Sequence, residues 1–301
     1  MRLTRRDLIQ GILMNTAGLL GRAAFADVKK NFSSAYVNVS HNKPQWKIVS
    51  KGIEFAKVEV RRNKELVDVL AILRVDPRAN RIRIFSSYEE GKTIARTIEE
   101  WQKHTGAIAM TNSAQYMANP YYMPCAPLIC DGKQKGPKSN PSVRGMLVAE
   151  PLKGNLPKAD LLDFDYDRYA TGTYSQGVQH WPILLDRNGK IKVQKTNWQA
   201  NRTVVAKDFH GNILFLTTEG NYFTLYNLGL FLKESNARPD HGFRIHTAMN
   251  LDGGSEANMV VRTKQFSYVR YGPFEGKDTP GFNFFNWGKV KIPGVIGVFA
   301  R

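Results

Sequence analysis

Ile245-His246-Thr247-Ala248-Met249, then Asn250-Leu251-Asp252-Gly253-Gly254-Ser255-Glu256, then Met259-Val260-Val261 is the stretch on which the fold reading turns. Two apolar, strand-like runs flank a carboxylate and two glycines. That pattern describes a loop held rigidly at the end of a buried sheet. Glycines there let backbone N–H groups turn toward a ligand without Cβ obstruction, and such nests bind anions. Asp252 stands beside the nest, so the stretch predicts a carboxylate and an anion cradle in one place. The competing reading is an Asp that only caps its own turn, a common role before Gly.

Outward from this loop, most of the chain reads as strands. Phe55 to Val60 and Leu66 to Val75 are β-branched and apolar, with Arg61-Arg62-Asn63-Lys64 as the turn between them. Arg81 to Phe85 alternates basic with apolar, as a half-exposed strand does. Ala107 to Met110 predicts a short buried strand ending at Thr111-Asn112, and Gly145 to Ala149 another. Pro182 to Asp186 and Ile191 to Gln194 predict a hairpin about Asn188-Gly189. Arg202 to Lys207 and Ile213 to Thr218 predict a second, about His210-Gly211-Asn212. Two stretches change period. Ile94, Ile98 and Trp101 fall on one helical face between Thr93 and His104, with Gly106 as the stop, and Thr224 caps a helix running to Glu234 with Leu225, Leu228, Phe231 and Leu232 inward. The expectation is an α+β fold: a single domain with a mixed, largely antiparallel sheet core and a few packed helices.

The segment from Gln115 to Asn140 is rich in Pro, Gly, Tyr and Lys and has no period. Its length makes it a candidate substrate flap. Tyr116, Tyr121 and Tyr122 would stack on sugar rings there, or pack the loop onto the body. Cys125 and Cys130 are the only cysteines. In an oxidising compartment they are candidates for a short disulfide across this loop; two free thiols are the alternative.

The N-terminus predicts export. Thr4-Arg5-Arg6-Asp7-Leu8-Ile9 is a twin-arginine pattern, a modest apolar stretch follows, and Ala24-Phe25-Ala26 supplies a cleavage site. Residues 1–26 are therefore read as a twin-arginine signal peptide, 27–51 as an N-terminal extension and 52–301 as the functional domain. The apolar stretch is too short to span a membrane, so no stable membrane anchor is expected. The twin-arginine translocase is the partner during export, and the mature protein is expected in the periplasm or secreted. The chain carries a net charge of +17; residues 1–26 hold four arginines and one aspartate, which leaves +14 on the mature protein. Outside the cytoplasm such an excess favours anionic glycans, phosphorylated polymers or membrane surfaces. The basic residues are scattered and show no nucleic-acid-binding signature, so nucleic acid is not expected as a partner.

The order of pieces resembles the phosphodiester glycosidase family over roughly residues 52 to 300. Leu73-Arg74-Val75-Asp76-Pro77, Met110-Thr111-Asn112, Arg202-Thr203-Val204-Val205 with Asp208 and Gly211, Glu219-Gly220 before the Thr224 helix, Asn250-Leu251-Asp252-Gly253-Gly254 and Ile292 to Val298 carry the match. The resemblance implies an exported glycosidase that cleaves a sugar phosphodiester or a related anionic, exopolysaccharide-type linkage. The alternative is a catalytically lapsed periplasmic protein that binds a glycan or phosphopolymer. The chain departs from the family at three places. Ser113-Ala114 stand where two glycines are usual, Ala206 where the Arg-Thr strand reaches a glycine, and Glu256-Ala257-Asn258 follow Ser255 where a serine pair is common.

Cleaving a sugar C1–O bond releases a phosphate monoester, a good leaving group that needs a cationic clamp more than a proton. The oxocarbenium-like transition state needs a carboxylate nearby. Arg202 is the clamp candidate, since a guanidinium matches phosphate oxygens bidentately. Asp252 is the catalytic carboxylate candidate and Glu256 the second. Asn112, Thr203, Gly253, Gly254 and Ser255 are the expected substrate contacts. Structural readings stand beside each: Arg202 as an ion-pair partner, Asn112 as a strand-end tie. His241 and His246 flank the loop as candidate general acids. No cofactor is read from the sequence; Asp240, Asp252 and Glu256 leave room for a divalent cation, although their spacing matches no EF-hand loop.

Overall fold

The structure is a computed structural model and describes residues 39–88, 94–117, 122–237, 242–272 and 289–301. The expected signal peptide, Tyr121, Asp240 and His241 lie outside these residues. The chain opens with β1 (Val39–His41), β2 (Lys47–Ser50), β3 (Ile53–Arg62), β4 (Glu65–Val75) and β5 (Asn80–Ser86). Helix α1 (Ile98–Thr105) leads into β6 (Ala109–Asn112), β7 (Leu128–Cys130), β8 (Lys133–Lys135), β9 (Gly145–Pro151) and β10 (Ala159–Asp163). Then come β11 (Tyr174–His180), β12 (Ile183–Leu185), β13 (Thr203–Asp208), β14 (Ile213–Thr218) and helix α2 (Leu225–Asn236). The chain closes with β15 (Ile245–Asn250), a 3-10 turn at Gly254–Glu256, β16 (Met259–Arg262), β17 (Ser267–Arg270) and β18 (Gly294–Ala300).

These strands form three sheets. The first runs β1-β3-β4-β14-β13-β15-β12, with β2 also paired to β3; the second runs β10-β9-β11-β7-β8; the third runs β17-β16-β6-β18-β5. One apolar core draws on all three, through Ile53 and Leu73 of the first, Leu147 and Val178 of the second, and Ile84, Val261 and Ile296 of the third. Residues 40–301 form one compact unit. Residues 40–51, read from the sequence as the end of an extension, supply strand pairing to the first sheet.

The architecture is more β-rich than the α+β expectation, with two helices among the described residues. Each strand pairing whose register is defined is antiparallel, so the expected mixed character is absent there. Hairpins and short turns connect neighbours in β3–β4, β13–β14 and β16–β17, and a two-residue turn cannot join parallel strands. The first predicted hairpin is only half regular: beyond its turn a single bridge, Leu185 to Ile191, continues it, and β12 pairs with β15 instead.

Helix α1 starts later than Thr93. Thr97 caps it, accepting from Glu100 N while Glu100 returns a bond to Thr97 N, and Gly106 ends it in the left-handed conformation. This capping box fixes the first turn at Ile98 and leaves Ile94 outside the helix and 63% exposed. Helix α2 follows the expectation, capped by Thr224 with Leu228, Phe231 and Leu232 buried and Leu225 half-buried. The segment 115–140 is not a free flap over its described length. Its second half contains β7 and β8, and β7 pairs with β11 inside the second sheet.

Candidate functional site

The crossover from β15 of the first sheet to β16 of the third is the loop singled out in the sequence. Asn112, the last residue of β6, ties it down. Its Oδ1 accepts from the Thr203 hydroxyl at 2.8 Å, Asn258 N at 3.2 Å and the Thr111 hydroxyl at 3.3 Å. Its Nδ2 donates to the Asp252 carbonyl at 2.7 Å. One buried amide thus joins β6, β13, the loop and the entry to β16. Asn112 is 2% exposed and Thr203 fully buried, so both polar groups are consumed by these bonds. The backbone reinforces them, with Leu251 N on Thr203 O and Asp252 N on Ser113 O. Asn112 and Thr203 therefore position the loop rather than present their polar atoms to a ligand.

The glycines serve close approach. A Cβ on Gly253 would lie 2.7 Å from the Asn201 carbonyl oxygen, so only glycine lets the loop seat against β13. Gly254 has φ of 67° and donates its N–H to Asn201 O at 2.9 Å. Gly253 N turns onto the Asp252 carboxylate itself, at 3.1 Å. The expected cradle is thus closed by the protein's own oxygens: one N–H holds the Asp252 side chain and the other anchors the loop.

Asp252 is half-buried, with its carboxylate steered by Gly253 N. Burial raises the Tyr116 phenol, bonds to Ser113 and Ser86 oppose it, and the Asp252 charge adds a small further push upward. The Ser113 and Tyr116 hydroxyls are 3.3 Å apart. The Tyr116 oxygen occupies the space a Cβ on Gly294 would need, 1.7 Å from that position. Tyr116 is therefore a packing residue beneath the loop, not a sugar-stacking one; Tyr122 is exposed. Glu256, half-buried in the 3-10 turn, accepts from the Ser255 hydroxyl at 2.8 Å.

Arg202 directly precedes β13, and its side chain leaves in the direction opposite to Thr203, as successive residues of an extended chain do. It is 7% exposed; Nε donates to Phe223 O at 3.1 Å and Nη2 to Trp198 O at 2.6 Å. These bonds clamp the two segments that flank the hairpin, and the guanidinium edge they use is not available to a phosphate. His246 sits at the opposite end of β15 from the loop, about 20 Å from Asp252 at about 3.3 Å per residue. It contacts Thr247 and Phe209, so the general-acid expectation is not met. Cys125 and Cys130 are not disulfide-bonded: Cys130 ends β7 paired with Lys133, while Cys125 N bonds Gln115 O in the preceding segment. Burial pushes the Cys130 thiol up to about 12. Among the described residues, no three His, Cys, Asp or Glu side chains gather as metal ligands, and no helix is long and apolar enough to cross a membrane.

Several supporting residues were not read from the sequence. Asn258 bonds Asn112 through its N–H and accepts Gly272 N at 3.2 Å on its side chain. His180 donates from Nδ1 to Asn250 O at 2.8 Å and pins the strand end; burial lowers it to about 4, which keeps it neutral. Asp68, fully buried, accepts from Val69, Gly220 and Tyr222 N–H groups and holds the turn that precedes Phe223. Burial raises it to about 7 against the lowering effect of those bonds. For Asp68 the signal was a carboxylate inside the apolar run Leu66–Val75.

The family described as phosphodiester glycosidase matches residues 90–299, which takes in β6, β13, the Asp252 loop and β18. The chain belongs to the phosphodiester glycosidase family. Its fold resembles the catalytic domain of zebrafish N-acetylglucosamine-1-phosphodiester alpha-N-acetylglucosaminidase, auto-inhibited by pro-peptide, at 15% identity and a TM-score of 0.59. That match covers 90% of this chain and 94% of the zebrafish domain. A hypothetical protein from Synechocystis is similar at 12% identity and a TM-score of 0.55, over 86% of this chain and 64% of its own. No curated protein matches the sequence. At these identities the structures establish the phosphodiester glycosidase fold, and the family match establishes a glycosidase-type hydrolase class.

Within that phosphodiester glycosidase frame the departures acquire physical meaning. Ser113 and Ala114, at the family's glycine pair, are both buried, and Ser113 supplies the carbonyl that receives Asp252 N. Ala206 packs fully buried in β13, opposite Ala248. The chain fills these positions with side chains and keeps the loop tie.

Proposed function

We propose that this phosphodiester glycosidase is exported by the twin-arginine route and hydrolyses a sugar-1-phosphodiester or a related anionic glycan linkage, with Asp252 as the carboxylate at the anomeric carbon. The observation that carries the reading is the Asp252 loop, tied to β6 by Asn112 and through it to Thr203 of β13 in a family-matched fold. The zebrafish relative's printed substrate, an N-acetylglucosamine-1-phosphodiester, supplies the substrate class. Glu256, on the same turn, is the second carboxylate. Arg202 contributes by fixing the Trp198 and Phe223 segments beside the loop, a positioning role in place of the phosphate clamp.

Purified mature protein is incubated with a panel of sugar-1-phosphodiesters and released reducing sugar is measured beside Asp252→Asn. Turnover by the wild type and its loss in the folded variant is the expected result. No turnover on any member of the panel by well-folded protein sinks the enzyme reading. One observation favours the second reading, a periplasmic glycan-binding protein without activity: the Asn112 amide and both glycine N–H groups are satisfied internally. Glycan binding that is unchanged in Asp252→Asn, with no product, would select it.

A further inference from the structure

The second sheet carries a cleft that shares no residue with the Asp252 loop. Its volume is about 460 Å³, within the range of small-ligand sites. The floor is Ile129 of β7 and Met146 of β9, which meet across Gly177 of β11; a Cβ on Gly177 would lie 2.6 Å from Met146 Cε. Phe164 and Tyr169, both half-buried, form an aromatic wall in the connection after β10. Gln179 of β11 is 6% exposed and uses its Nε2 on the Asn140 and Val143 carbonyls, which fixes the orientation of its amide. Lys138, in the segment after β8, and Arg168, in the connection after β10, stand exposed at the cleft, and no salt bridge among the described residues engages either. The third rim cation, Arg144, is paired with Asp165, and the rim carboxylate Asp167 with Arg187.

We propose that this cleft binds an anionic oligosaccharide, a second hold on the class of polymer that the Asp252 site is proposed to cut. The apolar floor and aromatic wall match the C–H face of a pyranose ring, where flat, weakly polar contact is the main attraction. The fixed Gln179 amide turns its carbonyl oxygen away from its two Nε2 bonds and offers it as an acceptor to a sugar hydroxyl. Lys138 and Arg168, on two different segments of the lining and outside any described salt bridge, complement carboxylate, sulfate or phosphate groups spaced along a chain. A neutral sugar leaves both cations unpaired, and a nucleic acid requires more cationic surface than two rim residues provide. The inference rests on the anionic-glycan reading for its biological sense, but its test is separate.

Mature full-length protein is titrated calorimetrically with tetragalacturonate, with a heparin-derived tetrasaccharide, with maltotetraose and with a single-stranded oligonucleotide. At least one anionic tetrasaccharide is expected to bind about tenfold or more tighter than maltotetraose, a difference of about 1.4 kcal/mol. Lys138→Ala/Arg168→Ala is expected to weaken it about tenfold, and Tyr169→Ala to weaken it independently. Arg81→Ala/Lys264→Ala removes the same charge from exposed positions elsewhere and is expected to leave affinity within about twofold. Failure of both anionic tetrasaccharides to bind overturns the proposal. So does equal weakening by the two double variants, which marks diffuse attraction, or tighter oligonucleotide binding through the same rim residues. Sugar release from phosphodiesters, measured on the same preparations, separates the two readings: activity without cleft binding refutes only the cleft, and cleft binding without activity refutes only the hydrolase.

Discussion

Asn112→Asp tests the tie at the centre of the site with almost no change of shape. The substituted carboxylate keeps the acceptor used by Thr203, Thr111 and Asn258, but replaces the Nδ2 donor that meets the Asp252 carbonyl at 2.7 Å with a negatively charged oxygen. At 2% exposure, water cannot relieve that encounter. A buried carbonyl left without its donor costs about 1–3 kcal/mol, and the partly compensated charge adds to it, so about 3 kcal/mol is expected above neutral pH. Protonation restores a donor. The folded state of the variant therefore binds this proton more tightly than the unfolded chain does, and the deficit grows as pH rises from about 4, by at most about 1.4 kcal/mol per pH unit. For a unit of this size, about 3 kcal/mol lowers the melting temperature by about 6–12 °C. Calorimetric melting of wild type and variant at pH 4.5 and pH 8 reads the effect. A deficit equal at both values, or absent at pH 8, would refute the tie.

The remaining predictions follow the same logic. Gly253→Ala is expected to lose about 1–3 kcal/mol in urea unfolding, since its Cβ meets the Asn201 carbonyl, while Gly154→Ala, in open space, is neutral. Asp68, raised to about 7 by burial, binds its proton more tightly in the folded state, so its contribution to stability declines between about pH 4 and pH 7. Asp68→Asn should therefore flatten the fall in unfolding free energy from pH 5 to pH 8; an unchanged slope counts against it. Glu99, held down to about 2 by Lys289, Tyr271 and Arg262, stabilises above the ordinary carboxylate range and loses that effect as pH falls toward 2. Glu99→Gln is expected to cost about 1 kcal/mol at pH 7 and less as the solution is acidified; a constant deficit would point to packing alone.

What the sequence made legible were the elements whose signal is local. The β3–β4 and β13–β14 hairpins needed only alternation and a polar turn, and α2 needed only its Thr224 cap and apolar face. β7 escaped because three residues between a proline and an Asp-Gly turn carry no period, and its partner Val178 is far along the chain. Ile94 misled because it falls at helical spacing from Ile98, whereas the Thr97 to Glu100 capping box that overrides it was also present in the sequence. At the site, spacing singled out Asp252, Asn112 and Thr203. It could not tell which polar atoms point at one another, and hydrogen-bond partners far apart in sequence decide that.

The glycines of the loop show why a motif can be recognised for the right residues and the wrong reason. A Gly-Gly pair beside an aspartate reads as backbone offered to an anion. Here Gly253 is required because the Asn201 carbonyl, just ahead of β13, approaches from one side, and Gly254 because its φ is 67°; the Gly254 carbonyl in turn requires glycine at 272, where a Cβ would lie 2.1 Å from it. Glycine at 253 and at 272 lets segments from two sheets close on the loop, while the Gly253 N–H holds the Asp252 carboxylate and the Gly254 N–H holds the Asn201 carbonyl. Preorganisation then comes from neutral, buried bonds, which keep the Asp252 backbone fixed. In the proposed hydrolase, transition-state charge is met by Asp252, by Glu256 and by groups that the substrate brings or encounters outside this tie. The replacement of the family's glycine pair by Ser113-Ala114 fits such a division of labour, since a loop already closed by its own oxygens has no use for bare backbone at that position.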